Sequence, residues 1–162
     1  GSHSTFAKGF ERPVWPAVDS HGTVYLADYS NNRIAKIAPD GTVSTFASMS
    51  AVNAIAIDNQ DNLWVCNWGG QIARITPDGK STSIGGGLST ACGIAWCSKY
   101  LAVVTYGQER SHNGQLFLVD FSGKSYPVAS NLDRASSVIF DSHLNVYTAD
   151  CGDTALRKFS LQ

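Results

Sequence analysis

The chain has 162 residues, 43% of them hydrophobic and 15% charged, with a formal net charge of −1. That length supports one domain with a real core, and the near-neutral balance gives no support to general affinity for nucleic acid or a membrane surface. No run of eighteen apolar residues occurs, so nothing reads as a transmembrane helix.

Gly1-Ser2-His3 reads as the scar of a cleaved expression tag, which leaves 4–162 as the domain. Ser4–Gly9 (STFAKG) is close to Ser44–Ser48 (STFAS), which falls where the outermost strand of a first repeat ends. That repeat covers about 14–48. The next, about 53–84, is the clearest. Ala54–Asp58, Leu63–Asn67, Gln71–Thr76 and Lys80–Ile84 read as four short strands, each break carrying the Gly, Asn, Asp or Pro of a tight reversal. A third repeat follows at about 92–130 and a fourth at about 136–160, the latter with Val138–Asp141, Val146–Asp150 and Ala155–Ser160 but no outer strand.

Asp19, Asp58, Cys97 and Asp141 open equivalent turns at steps of 39, 39 and 44 residues. The longer step comes from an insertion, Gly107–Gly114 (GQERSHNG). A period near forty with two-residue alternation predicts an all-β propeller of four-stranded antiparallel blades. A single blade cannot bury both its faces, so neighbours must cover them. The spare leading strand and the missing last strand predict that Ser4–Gly9 completes the final blade and closes the ring, within one chain or between chains. Monomer and homo-oligomer sharing a ring both stay open.

The inner strands are expected at Trp15–Asp19, Ala54–Asp58, Gly93–Cys97 and Ser137–Asp141. The second strands end on Asp28, Asn67, Thr105 and Asp150, followed by Tyr29, Trp68, Tyr106 and Cys151. The loops after them should emerge together over the channel, where a propeller carries function. Tyr29, Trp68 and Tyr106 would form an aromatic collar able to stack on a ring or a side chain, with Asn67 beside it. Asp28 and Asp150 fit better as corner pins that accept loop N–H groups. His112 in the insertion has the best functional claim among the histidines, since His21 and His143 lie in turns on the opposite face. Lys36, Arg74 and Lys158 recur at one third-strand position, with Leu118 breaking the set. The four cysteines (Cys66, Cys92, Cys97, Cys151) show neither Cys-x-x-Cys nor zinc spacing, and buried free thiols fit them better than disulfides. No Gly-x-Ser-x-Gly elbow, phosphate loop or zincin helix is present.

ADYSNNRIAKIAPDG and VYLAD resemble NHL repeats, and DNLWVCNWGGQIARITPDGK is similar to blades of streptogramin lyases. Glu11-Arg12-Pro13-Val14-Trp15 resembles the Glu-Gly-Pro-x-Trp opening of the gluconolactonase (senescence-marker) family, and the likeness covers most of Glu11 to Phe159. These resemblances imply the fold strongly and function weakly, because such repeats serve lactonases, lyases, RNA binders and scaffolds. The gluconolactonase resemblance implies a calcium ion or another divalent cation held near Glu11 and Asn53, polarising a lactone carbonyl and activating water. Cys92 stands where the family has a ligand Asn, and Ser136 where an Asp is expected.

Two readings follow. One is an NHL-type binding module that recognises a protein or small ligand on the loop face through Tyr29, Trp68, Tyr106, Asn67 and His112. The other is a divalent-metal lactonase or lyase with a site near Glu11 and Asn53. The chain also fits a fragment or engineered subset of a larger propeller.

Overall fold

The computed structural model describes residues 1–107 and 113–161, in which every regular element is a β-strand. The first sheet is β1 (Pro13–Val18), β2 (Val24–Asp28), β3 (Arg33–Ile37) and β4 (Val43–Ser48). The second is β5 (Val52–Ile57), β6 (Leu63–Asn67), β7 (Ile72–Ile75) and β8 (Ser81–Gly85). The third is β9 (Ala91–Trp96), β10 (Leu101–Thr105), β11 (Gly114–Val119) and β12 (Ser125–Leu132). The fourth is β13 (Ala135–Phe140), β14 (Val146–Asp150) and β15 (Ala155–Phe159). All pairings are antiparallel between sequence neighbours, so each sheet is one propeller blade.

The turns that join first to second strands share one device. Asp19, Asp58 and Asp141 each accept two main-chain N–H groups of their own turn on Oδ1, at 2.8–2.9 Å. Such side-chain caps fix the reversal without help from the neighbouring strand. In the third blade Cys97 does the work more loosely, its Sγ accepting the Tyr100 N–H at 3.4 Å.

Three apolar cores lie between successive blades. Ile34, Ile55, Val65 and Ile75 belong to the first, Trp64, Ile72, Ile94 and Val103 to the second, and Leu116, Val138 and Val146 to the third. β6 and β10 are buried along their whole lengths, as central strands covered on both faces must be.

Two expectations need correction. Ser4–Gly9 forms no strand, and the fourth sheet keeps only three. The leading segment is tied to the first blade instead. Arg33 Nη2 donates to the Gly9 carbonyl at 3.0 Å, the Glu11 N–H donates to Asp28, and the Phe6 carbonyl sits so close to Gly41 that a Cβ there would stand 2.9 Å from it. The ring is therefore not closed. Packing runs from β1 to β5, β5 to β9 and β9 to β13, and among the described residues the first and fourth sheets share no comparable contact.

Candidate functional site

The inner strands begin two residues earlier than alternation suggests, because each contains a β-bulge. The register slips between Pro13 and Trp15, between Val52 and Ala54, between Ala91 and Gly93, and between Ala135 and Ser137. The extra residue is Val14, Asn53, Cys92 or Ser136, and a bulge re-aims its side chain out of the sheet's alternation. All four line one cavity of about 470 Å³ at the channel mouth.

The residue two positions before each bulge residue has a left-handed backbone: Arg12, Ala51, Thr90 and Arg134, with φ of 55°, 49°, 63° and 57°. Each conformation costs roughly 1–2 kcal/mol outside glycine. One repeated bond offsets it. The carbonyl of each accepts the N–H of the residue after the second strand: Tyr29 (3.3 Å), Trp68 (3.0 Å), Tyr106 (2.9 Å) and Cys151 (3.3 Å). The collar positions are thus fixed by main-chain geometry rather than by loop packing.

Within the collar, the second and third blades are coupled further, the Trp68 carbonyl accepting the Thr90 N–H at 2.9 Å. This places the Trp68 and Tyr106 rings 5.8 Å apart at 49°, both on the cavity. Trp68 is 37% exposed, which leaves an aromatic face available to a ligand. Tyr29 does not reach the cavity. Its ring lies under the Arg12 guanidinium at 4.5 Å, and Arg12 is the charged side chain that the first blade presents to the opening.

Asn67 is a corner residue. Its amide donates to the Ser50 carbonyl (3.0 Å) and Gln71 Oε1 (2.9 Å), and its Oδ1 accepts the Gln71 N–H (2.9 Å). Asp28 pins the first corner as expected, taking the Glu11 N–H (2.7 Å) on Oδ1 and Asn31 Nδ2 and Arg33 Nε (2.8 Å each) on Oδ2. Burial works to raise its pKa, and the bonds from Asn31, Arg33 and the Glu11 amide outweigh it, holding the carboxyl below its ordinary value. In the fourth blade the equivalent Asp150 accepts Arg157 Nε on Oδ2 at 2.9 Å, while its buried Oδ1 has no hydrogen-bond partner among the described residues. His112 lies outside the described residues.

The cation site implied by Glu11 and Asn53 does not assemble. Glu11 has its N–H on Asp28 and its carbonyl on the Ser30 N–H, and its side chain does not line the cavity. Asn53 Nδ2 donates at 3.4 Å to the Ala91 carbonyl of the next blade. Cys92 makes the same step, its Sγ donating to the Ala135 carbonyl at 2.9 Å. Burial, with a smaller contribution from Cys151, pushes the Cys92 thiol up to about 12. Ser136 Oγ meets Cys151 Sγ at 3.1 Å. Among the described residues no carboxylate lines the mouth, and no three His, Cys, Asp or Glu side chains are grouped to hold a metal. A hard divalent cation asks for several oxygen donors with carboxylate among them. This donor set does not fit one.

No protein-family model matches the chain, and no curated protein matches it in sequence. Solved structures do match. A gluconolactonase from Xanthomonas campestris superposes on 98% of this chain and 61% of its own at 17% identity, with a TM-score of 0.80. The chain shares the β-propeller fold of the gluconolactonases and streptogramin B lyases. Virginiamycin B lyase from Staphylococcus aureus matches 93% of this propeller and 56% of its own length at 17% identity, TM-score 0.68. A streptogramin B lyase structure matches 93% and 55% at 18% identity, TM-score 0.70. This propeller thus spans less than two thirds of each of these neighbours, and at such identity the likeness is one of fold.

Arg12 and Val14 were not singled out from the sequence. The signal was there in Glu11-Arg12-Pro13, aligned by position with Ser50-Ala51-Val52 and Ser89-Thr90-Ala91.

Proposed function

We propose that this propeller is a binding module whose channel mouth takes a small ring-bearing ligand, or a ring-bearing side chain of a protein partner. The supporting observation is the Trp68–Tyr106 pair opening onto the cavity of about 470 Å³. Around it, Asn53 and Cys92 spend their donors on inter-blade carbonyls. What remains for a ligand is aromatic surface plus the Arg12 cation at the rim. A concave, mixed apolar and polar opening of this size suits a small molecule.

The second reading, a metal-dependent lactone hydrolase or lyase, has the shared fold with the gluconolactonase and the lyases in its favour. The donor chemistry at Val14, Asn53, Cys92 and Ser136 speaks against it.

Titration with indole-3-acetate and phenyl glucoside, followed by tryptophan fluorescence, tests the first reading. A saturable change is expected, lost in Trp68→Ala, while calcium or manganese alone leaves the melting temperature unchanged. Absence of any saturable response, or a response that Trp68→Ala leaves intact, refutes ring binding at this mouth. A clear metal-induced thermal shift revives the hydrolase reading.

A further inference from the structure

The two ends of the blade series expose much of the faces that every internal junction buries, although β3 keeps Ala35 and Ile37 buried on the rear face of the first sheet. Each junction packs the forward face of one sheet on the rear face of the next. On forward faces, Ile34, Ile72 and Leu116 pair with the fourth residue of their second strands, as Leu156 does in the last blade. The first three are 0%, 1% and 0% exposed, and Leu156 is 75% exposed. Ile139, on the same face two strands away in β13, is 61% exposed. On rear faces, Ile55, Ile94 and Val138 are buried, and their counterpart in β1 is the exposed Pro16, next to Val18 at 60%.

We propose that a second copy of this chain covers both faces. The forward face of the fourth sheet would pack on the rear face of the other copy's first sheet, twice about a two-fold axis. Three internal junctions already define what each face accepts, and these 162 residues leave one forward face and the inner-strand part of one rear face unpaired. A second copy supplies both complements at once. Eight blades in one ring lie at the upper end of the range propellers adopt, and a net charge of −1 sets little repulsion against pairing.

The mouth carries a specific counterpart. Asn53 and Cys92 donate across their junctions to the carbonyls of Ala91 and Ala135. Ser136 occupies the same bulge position, and Pro13 the same position as those two acceptors. In the pair, the Ser136 hydroxyl donates to the Pro13 carbonyl of the second copy. The ring then walls the open side of the channel mouth. This inference stands whether or not the mouth binds a ring compound.

Sedimentation velocity of the whole chain across a concentration series tests it. The expected mass is that of two chains. Leu156→Glu, at a side chain already in water, leaves the circular dichroism unchanged and weakens pairing at least about tenfold, because it strikes both junctions. Val18→Glu, on the opposite face, does the same. A single-chain mass throughout the series overturns the proposal. So does a pair that survives both substitutions, or an open ladder of masses in place of one closed species.

Discussion

A thiol that donates to a main-chain carbonyl inside a packed junction is held protonated, and Cys92 is in that state with its pKa at about 12. Cys66 is pushed in the same direction, chiefly by burial, and Cys97 is buried under its turn. Cys151 alone among the four is exposed. Thiolate, not thiol, reacts with disulfide reagents. The expected outcome with an aromatic disulfide reagent is therefore one fast equivalent from native protein and four after denaturation. A Cys151→Ser variant should lose the fast one, and a second fast thiol in that variant would show the junctions to be looser than described. The corner carboxylates give a pH signature. Asp28 has a folded pKa below its unfolded value, and Asp141 is held at about 2, first by the Asn145 side chain and then by the turn amides despite some burial. Depressed folded values stabilise the native state above the unfolded pKa, and that contribution fades as pH falls through the folded one. Melting temperature should therefore drop as pH goes from about 4 towards about 2. In Asp28→Asn the acid slope should be shallower, the neutral-pH loss being softened because Asn67 shows that an amide can hold the same corner. An unchanged slope would remove Asp28 from the account of acid stability.

At the scale of a blade, the loop after β6 shows how the mouth is held. Gly70 has φ of 85°, and a Cβ there would stand 2.5 Å from the Leu88 carbonyl carbon, main chain against main chain. Neither the left-handed angle nor the approach tolerates a side chain. Gly70→Ala should cost about 1–3 kcal/mol, visible as a lower urea midpoint, and should weaken ring binding by displacing Trp68. A wild-type midpoint would mean that the loop has room to shift away from Leu88. This loop also marks what could be read in advance. The forty-residue period, the turn aspartates and the strands inside the four repeats were legible, because turn chemistry and two-residue alternation are local. Repeat position marked Tyr29, Trp68 and Tyr106 as equivalent, but not that Trp68 and Tyr106 meet at the mouth while the Tyr29 ring lies under Arg12. The bulges were not, since one extra residue in a strand leaves no compositional trace, and without them the aim of Val14, Asn53, Cys92 and Ser136 is hidden. Nor was the role of Lys36, Arg74 and Lys158. Each lies over an aromatic ring, of Phe46, Trp64 and Tyr147, at 5.6–5.9 Å, a contact between adjacent strands of one blade that depends on their register. The expected closing strand failed for a related reason: likeness of STFAKG to STFAS reports strand propensity, not which sheet edge lies within reach.

Across the whole molecule, stability should be uneven in a predictable direction. Propeller blades couple to their neighbours as repeats in a row, so each blade's protection reflects its own stability plus the junctions it shares. The second and third blades have two junctions each, and the first and fourth have one. The fourth also lacks an outer strand, leaving β15 as an edge. Hydrogen exchange of the dilute single chain should be slowest in β6 and β10, which are buried throughout, and fastest in β15. A uniform rate across all four blades would require a fourth junction between the first and last sheets. Pairing of two copies makes the complementary forecast, because it gives every blade two junctions. Raising the concentration should then slow exchange in β1, β13 and β14 while β6 and β10 barely change, and the end blades would report the new contacts directly.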